Sequence, residues 1–252
     1  MRTCESGPQL RERLCAWFDS PLGRSLQAIE TNRLRSILPK RYGTVILQLG
    51  AVGKMNMMDS SPAPTRVVLD LLYHDGTPTV QGLPESLPFD TRSVDVVLLP
   101  HTLDFAGDPH QVLREVDRVL APEGHVVVLG FNPLSLWGVR RLLSRGQGRI
   151  PWCGKFLGLA RVKDWFALLE YELTAGHMLY YRPPLQNEGV MDRLYFLDKV
   201  GDRWWPMMGA VYVVVAKKRV FGVTPLHARW RTRPAIGPRL SEPVARGMQR
   251  HG

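Results

Sequence analysis

Short apolar runs and one amphipathic stretch in the middle of the chain predict alternating strands and helices. The run Val94–Leu99 is almost wholly apolar, as expected of a strand covered on both faces of a parallel sheet. Apolar residues then recur at helical spacing over Val112–Leu120, with charged residues on the opposite face. A second apolar run, Val126–Leu129, follows the turn Pro122–Gly124. This part of the sequence therefore predicts a strand, a helix and a second strand.

The connection between these elements predicts the direction of the sheet. A strand, helix and strand of this length imply a right-handed crossover between parallel strands. Upstream, Thr44–Gly50 and Arg66–Asp70 are typical of two further strands. Ser20–Pro21 precedes a helix that ends before Pro39 and Gly43, and packing explains this helix as well as a cap over a ligand would. These elements predict an α/β fold.

A set of short motifs recurs in register between residues 85 and 132. In chain order they are Leu87–Pro88–Phe89, Asp95–Val96–Val97, Leu113–Arg114–Glu115, Arg118–Val119–Leu120 and Pro122–Glu123–Gly124. Together they resemble the second half of class I S-adenosylmethionine (SAM)-dependent methyltransferases of type 11. Ser20–Gly23 and Gln48–Gly50 further resemble an uncharacterised bacterial methyltransferase-like subgroup, over residues 17 to 220. The resemblance implies a Rossmann-like fold, in which a seven-stranded, mostly parallel sheet carries helices on both faces.

The same resemblance implies SAM as the cofactor, bound where the first strand ends. The family's first motif is an acid followed by closely spaced glycines, which let the backbone approach the ligand. Here Gln48 stands in the place of the acid, and only Gly50 keeps its glycine position. Val52 and Lys54 replace the other two glycines, while Gly53 falls at a neighbouring position. These departures predict either a remodelled SAM site or a lost one.

Further cofactor contacts are implied by the family's pattern. Asp70 ends the second strand, where the family has an acid for the ribose hydroxyls, and an acid at a strand–turn junction is the alternative. Leu83 stands where many relatives carry an acid near the adenine amine. The full set of implied cofactor residues is Gln48, Gly50, Gly53, Asp70, Leu83, Pro84, Leu99, Pro100 and His101.

Two side chains that follow neighbouring strands are candidate catalytic groups. His101 could act as a base, because the ordinary pKa of histidine lies near neutrality. Methyl transfer to an atom that is already nucleophilic needs mainly alignment, so a base is not required. Asn132 could orient an acceptor, since its amide both donates and accepts, or it could cap Pro133 and the helix that follows. Because ligands collect beyond the carboxyl ends of the strands, we expect both side chains to border a pocket beside Gly50.

Charge and composition divide the 252 residues into three parts. Residues 1–40 form a cap helix region, residues 41–221 a methyltransferase-like domain, and residues 222–252 a basic tail. From Lys217 onward nine basic residues oppose one acid, which supplies +8 of the net charge of +10. Proline, glycine and weak periodicity predict that the tail is disordered. It serves either as an RNA contact through phosphates or as a solubilising end.

The cysteines and the hydrophobic runs bear on the cellular setting. Cys4, Cys15 and Cys153 have neither zinc-ligand spacing nor a disulfide pattern, which favours a reduced, cytoplasmic setting. Met1–Glu5 lacks the apolar core of a signal peptide. No apolar run approaches the roughly 20 residues that span a bilayer. The sequence therefore predicts no membrane partner and no metal.

Two functional hypotheses follow. The first is a SAM-dependent methyltransferase that transfers a methyl group to an unidentified acceptor. The alternative is a non-catalytic, methyltransferase-like protein that binds RNA or a protein partner. The intact motifs from Leu87 to Gly124 favour the enzyme, whereas the replaced glycines at Val52 and Lys54 favour the alternative. The acceptor is not predictable, because its specificity resides in loops that the fold does not determine.

Overall fold

The computed structural model describes residues 7–53, 55–72, 79–144, 149–186, 189 and 193–219. All of them belong to one compact unit, Met1–Val220. The predicted tail, residues 222–252, and Lys54 of the first motif lie outside the described residues. The division of the chain at residues 40 and 221 stays a prediction.

Strands and helices alternate through most of this unit. The strands are β1 (Val45–Leu49), β2 (Thr65–Asp70), β3 (Thr79–Gln81), β4 (Val94–Pro100), β5 (Leu120–Phe131), β6 (Tyr171–Leu179) and β7 (Val211–Lys218). The helices are α1 (Pro8–Phe18), α2 (Pro21–Ile37), α3 (Thr102–Phe105), α4 (Pro109–Val119), α5 (Leu136–Leu143), α6 (Leu159–Leu168) and α7 (Phe196–Trp204), with a short 3-10 turn at Leu38–Lys40.

The seven strands form one sheet in the order β3-β2-β1-β4-β5-β7-β6. Strands β3, β2, β1, β4 and β5 pair in parallel, and β7 runs antiparallel between β5 and β6. This is the seven-stranded, mostly parallel, Rossmann-like fold that the motifs predicted, and that prediction is confirmed.

Helices cover both faces of the sheet because the side chains of each strand alternate between two apolar layers. One layer packs α1, α2 and Trp137 of α5 against sheet residues such as Ile46, Val96 and Leu129. The other packs α4 and α6 against residues such as Leu47 and Val97. Strands buried on both sides explain why β1, β4 and β5 are continuous apolar runs in the sequence.

Side-chain caps fix where the predicted helices begin. The Ser20 hydroxyl accepts a hydrogen bond from the Gly23 amide at 3.2 Å, so Ser20 is the N-cap and α2 begins at Pro21. The Asp108 carboxylate likewise accepts from the His110 and Gln111 amides at the start of α4. Capping and periodicity therefore agree for both helices.

Two elements differ from the sequence-based prediction. Helix α1 was not predicted, and it places three apolar side chains, Leu10, Leu14 and Phe18, in the core. Strand β5 begins at Leu120 rather than at Val126. The Pro122–Gly124 turn is accommodated inside β5, because the pairing register with β4 shifts between Val94 and Val96.

No helix separates β1 from β2 among the described residues of that connection, 50–53 and 55–64. Apolar side chains of this loop, Val52, Met57 and Met58, are buried in the same layer as α2 instead. These side chains of the loop therefore occupy the space that a crossover helix would fill.

Candidate functional site

A cavity of about 420 Å³ opens at the carboxyl ends of β1, β2 and β4. Its volume lies within the range of small-molecule sites, roughly 300–1,000 Å³. The lining includes Gly50 after β1, Asp70 at the end of β2, and Leu83 and Pro84 beyond β3. In open α/β sheets this edge is where ligands bind. Four of the predicted cofactor residues therefore meet at one cavity.

Asp70 lines the cavity but is only 2% exposed. Its buried carboxylate accepts hydrogen bonds from the backbone and from Arg11. One carboxylate oxygen accepts from the Ala51 amide at 2.6 Å, and the other accepts from the Leu71 amide at 2.6 Å. Burial would raise the pKa of Asp70, but the Arg11 guanidinium and these backbone donors hold that pKa below its usual value. Asp70 is therefore a carboxylate at neutral pH.

Arg11 of α1 lines the cavity, and no motif in the sequence indicated this role. Its Nη2 lies 2.6 Å from Asp70 Oδ2 and its Nε 3.1 Å from Oδ1, a bidentate ion pair. Nη2 also donates to the Ala51 carbonyl at 2.6 Å. The partners are 59 positions apart in the chain, so no local pattern could have predicted their contact.

Gly50 has the backbone conformation that its position in the first motif implies. Its φ is +88°, a region that favours glycine. A β-carbon built there would come within 2.9 Å of the Arg11 guanidinium. Gln48, which replaces the family's acid, is buried, and its amide donates to the Gly50 carbonyl at 2.9 Å. Gln48 therefore holds the turn and does not line the cavity.

The rest of the altered motif packs against α2. A β-carbon at Gly53 would meet the Gln27 side-chain oxygen at 2.5 Å, and the Gln27 amide donates to the Val52 carbonyl. Val52 itself is buried in the core beneath α2. Gly53 accordingly is not a lining residue of the cavity. The lack of a side chain at Gly53 therefore allows α2 to approach this loop closely. The resemblance had implied that it would allow a ligand to approach.

Beyond β3 the cavity gains a carboxylate that sequence reasoning missed. Leu83, where relatives carry an acid, is 52% exposed at the rim. Glu85 lies two positions further on, lines the same cavity, and accepts from the Gly107 amide at 3.0 Å. The sequence feature that could have identified Glu85 is that it is an acid only two positions from the place where relatives carry one. Asp108, the cap of α4, is a further lining carboxylate.

Three further predicted cofactor residues, Leu99, Pro100 and His101, lie at the end of β4, and none of them lines the cavity. Leu99 and Pro100 are buried within the strand itself, where Leu99 packs into the layer of α4 and α6. Thr102 lines the cavity instead, and its hydroxyl donates to the Leu49 carbonyl. At the end of β4, Thr102 therefore lines the cavity, and the predicted Leu99 and Pro100 do not.

His101 does not border the cavity, and its predicted placement there is wrong. The residue has a φ of +55° and is fully buried. Its Nε2 lies 2.8 Å from Glu30 of α2, and its Nδ1 lies 3.2 Å from Asp104 of α3. The imidazole stacks on Phe131 with ring centroids 4.1 Å apart. The left-handed turn sends the side chain behind the cavity wall, into the helix layer.

The two carboxylates set the charge of His101. Burial would lower its pKa, but Glu30 and Asp104 outweigh that effect and raise the pKa from 6.5 to about 9. The imidazole is therefore a cation at neutral pH. Asp104 also accepts from the Phe131 amide at 2.9 Å, so the buried charge network joins α2, α3 and the end of β5.

Asn132 also lies away from the cavity, contrary to the expected placement. Its amide nitrogen donates to the carbonyls of Met207 and Gly209, at 2.8 and 2.9 Å. Its oxygen accepts from the Leu134 amide at 3.0 Å, while Ser135 caps α5. The N-cap of α5 is therefore Ser135 and not Asn132, whose oxygen stabilises the turn before α5 while its nitrogen joins that turn to the segment before β7.

Cys153 is disulfide-bonded, which differs from the expectation of unpaired cysteines, whereas Cys15 is free. Disulfides are uncommon in reducing compartments. The cytoplasmic setting, which was inferred from cysteine spacing, therefore stays a prediction.

Two absences hold for the part of the chain that the structure describes. No three His, Cys, Asp or Glu side chains there are grouped so that they could hold a metal ion. In the same part of the chain, no helix has the length and apolar character needed to cross a membrane.

The sheet order and the cavity at its carboxyl edge define a class I methyltransferase-like protein. A family model described as a methyltransferase domain matches residues 42–128. The chain belongs to the class I SAM-dependent methyltransferase family.

Individual relatives are consistent with this family. The chain is 31% identical over 209 residues to YafS, an uncharacterized protein of Escherichia coli (strain K12), with 82% of each chain covered. It is 34% identical over 99 residues to the ubiquinone/menaquinone biosynthesis C-methyltransferase UbiE of Hahella chejuensis, 38% of this chain and 39% of that protein.

A solved structure shows the same fold. It is a SAM-dependent methyltransferase, a possible histamine N-methyltransferase, from Thermotoga maritima, with a TM-score of 0.59. The similarity covers 81% of this chain and 93% of that one at 16% identity, so it concerns the fold alone.

The buried charge network predicts a pH-dependent stability. The folded-state pKa of His101, about 9, exceeds the ordinary 6.5, so its stabilisation is complete below pH 6.5. It is lost as the pH rises through 9. We expect the free energy of unfolding to decline over this window in the wild type but not in His101→Gln, as measured by denaturant titration.

The exposed His110 of α4 supplies the matched control. His110→Gln should keep the pH dependence of the wild type. An NMR titration of the His101 imidazole measures its pKa directly. A value near 6.5 would contradict the buried charge network.

Proposed function

We propose that this protein binds SAM in the cavity beside Gly50 and transfers its methyl group to an acceptor. The observation that supports this most is Asp70, a buried carboxylate at the end of β2, next to a glycine with positive φ at the end of β1. This pair of residues is suited to binding a nucleoside, because the acid can accept hydrogen bonds from the ribose hydroxyls and the glycine permits close approach of the ligand.

The residues of the cavity fit the parts of SAM by their chemistry. Asp70 would hold the ribose hydroxyls, and Leu83 and Pro84 would supply apolar contact to the adenine. Glu85 would accept from the adenine amine in the role that an acid at position 83 has in relatives. The Gly50 turn, which Gln48 fixes from below, would face the methionine part.

Bound SAM supplies an electrophilic methyl group, and the protein's task is to align the acceptor and exclude water. His101 is held as a cation behind the cavity wall, so it has no free lone pair with which to take up a proton. The described lining offers carboxylates rather than an imidazole. Since Asp70 and Glu85 are assigned to the ribose and the adenine, this favours an acceptor atom that is nucleophilic by itself.

Arg11 must change its partner for this function. Its guanidinium occupies both oxygens of Asp70 and covers Gly50, so ribose hydroxyls can reach the carboxylate only after Arg11 releases it. We propose that α1 thereby couples the opening of the cavity to cofactor binding. The acceptor stays unidentified, and a cytoplasmic setting is retained as a proposal only.

The first prediction concerns cofactor binding. We expect calorimetric titration to detect SAM binding, and Asp70→Asn to weaken it by about tenfold or more, because a charge-assisted hydrogen bond is worth roughly 1.5–3 kcal/mol. Asp164→Asn, on the exposed side of α6, is the matched control and should bind as the wild type does. Absence of binding to the wild type at millimolar SAM would refute the proposal.

The second prediction concerns Arg11. Arg11→Gln should lower the melting temperature of the free protein, because Asp70 is left buried without its ion pair. The same variant should bind SAM about tenfold more tightly, a change of roughly 1.4 kcal/mol. Arg35→Gln on the exposed side of α2 should change neither quantity. Weaker binding by Arg11→Gln would instead mean that the guanidinium helps to hold the cofactor.

A further inference from the structure

An exposed apolar surface lies away from the cavity, on α5 and on the segment of residues 193–208. We call it the apolar face. Its most exposed side chains include Leu143 at 76%, Trp204 at 70% and Leu142 at 68%. Tyr195, Phe196, Trp205, Met207 and Met208 are also exposed. Singly exposed apolar residues are ordinary on proteins, whereas such a concentration marks an interaction surface.

Helix α5 turns its apolar stripe outward. Leu136, Val139 and Leu143 recur at helical spacing and are all exposed. The buried position of the helix is Trp137, whose indole donates to the Arg182 carbonyl at 3.0 Å. In a surface helix that serves only the core, the apolar stripe would face inward. The orientation of α5 therefore requires an explanation outside the core.

The arginines of α5 lie beside the core aromatics. The Arg140 guanidinium carbon is 5.3 Å from the ring centroid of Trp152, and that of Arg141 is 5.1 Å from Phe156. Arg141 also donates to the Trp152 carbonyl at 3.1 Å. These contacts fix the rotation of α5, so the exposed leucines are its stable arrangement.

The two parts of the apolar face adjoin one another. The Asn132 amide, just before α5, holds the carbonyls of Met207 and Gly209. Between α5 and α7 lies an apolar cavity of about 350 Å³, lined by Leu136, Tyr181, Leu197, Gly201, Trp205 and Met208. The exposed side chains therefore form one surface that has an apolar depression in it.

Exposed arginines lie on the same two segments, Arg140 on α5 and Arg193 and Arg203 within residues 193–208. Residues 133–152 contain four arginines and no acid, and residues 193–208 contain three basic and two acidic residues. One of the two acids, Asp198, is paired with Arg182 at 2.9 Å. An apolar stripe with indoles and flanking arginines is the composition of helices that lie in the interface of an anionic membrane. Trp side chains prefer the same depth.

We infer that the apolar face docks the protein onto the surface of a bilayer that contains anionic lipids. Leu142, Leu143 and Trp204 would enter the headgroup boundary, and the exposed Arg193 and Arg203 would meet the lipid phosphates. This peripheral contact needs no membrane-spanning helix, and it differs from the sequence-based expectation of no membrane partner. It does not depend on SAM binding.

Vesicle co-sedimentation tests the inference with the full chain. We expect binding to phosphatidylcholine–phosphatidylglycerol vesicles, and much weaker binding to phosphatidylcholine alone or at high salt. The double variant Leu142→Glu/Leu143→Glu should lower the affinity by about tenfold or more. Both side chains are exposed, so its melting temperature should match that of the wild type.

Leu168→Glu is the matched control, because Leu168 is 81% exposed on α6, at the other face of the sheet. It should bind vesicles as the wild type does. Equal binding by the double variant, or no binding by the wild type, would overturn the inference. A wild-type dimer that the double variant dissociates, without vesicle binding, would overturn it in favour of a second copy of the chain.

Discussion

The buried cation of His101 is the interaction on which the arrangement of the cavity depends. Its two carboxylate partners belong to α2 and α3, and Asp104 also anchors the Phe131 amide. A buried charge is tolerated only when it is paired, so loss of one partner would leave an unpaired charge in the core. The network therefore fixes the N-terminal helices against the strand ends, and that position brings Arg11 over Gly50.

The unusual first motif and the N-terminal helices belong to one structural solution. Gln27 of α2 holds the Val52 carbonyl, and Gly53 lies directly beneath the same side chain. Helix α1 places Arg11 on Asp70, where the family has a ribose contact. In the family the glycines of this motif allow a ligand to approach, whereas here Gly50 and Gly53 lie against side chains of α1 and α2. Packing therefore explains the departures at Gln48 and Val52, and the cavity itself is retained.

Sequence reasoning found what local patterns encode. Strands β1, β2 and β4, the second half of β5, and α4 followed from apolar runs and periodicity, whereas Asp70 and Gly50 were implied by the resemblance to the family. It could not find Arg11, because that contact joins residues 59 positions apart. Nor could it orient His101: topology assigns a residue to a strand end, whereas a single positive φ decides whether its side chain faces the cavity or the helix layer.

The aromatic cluster behind the cavity links the two surfaces of the molecule. Phe131 stacks on both His101 and Trp137 of α5. Trp137 is the buried position of α5, so the cluster that supports the cavity wall also sets the rotation of that helix. With Trp137 inward, helical spacing leaves Leu136, Val139 and Leu143 outward. The exposed apolar face is therefore a geometric consequence of the same packing that holds the strand ends, and it cannot be buried by turning α5 without dismantling that packing.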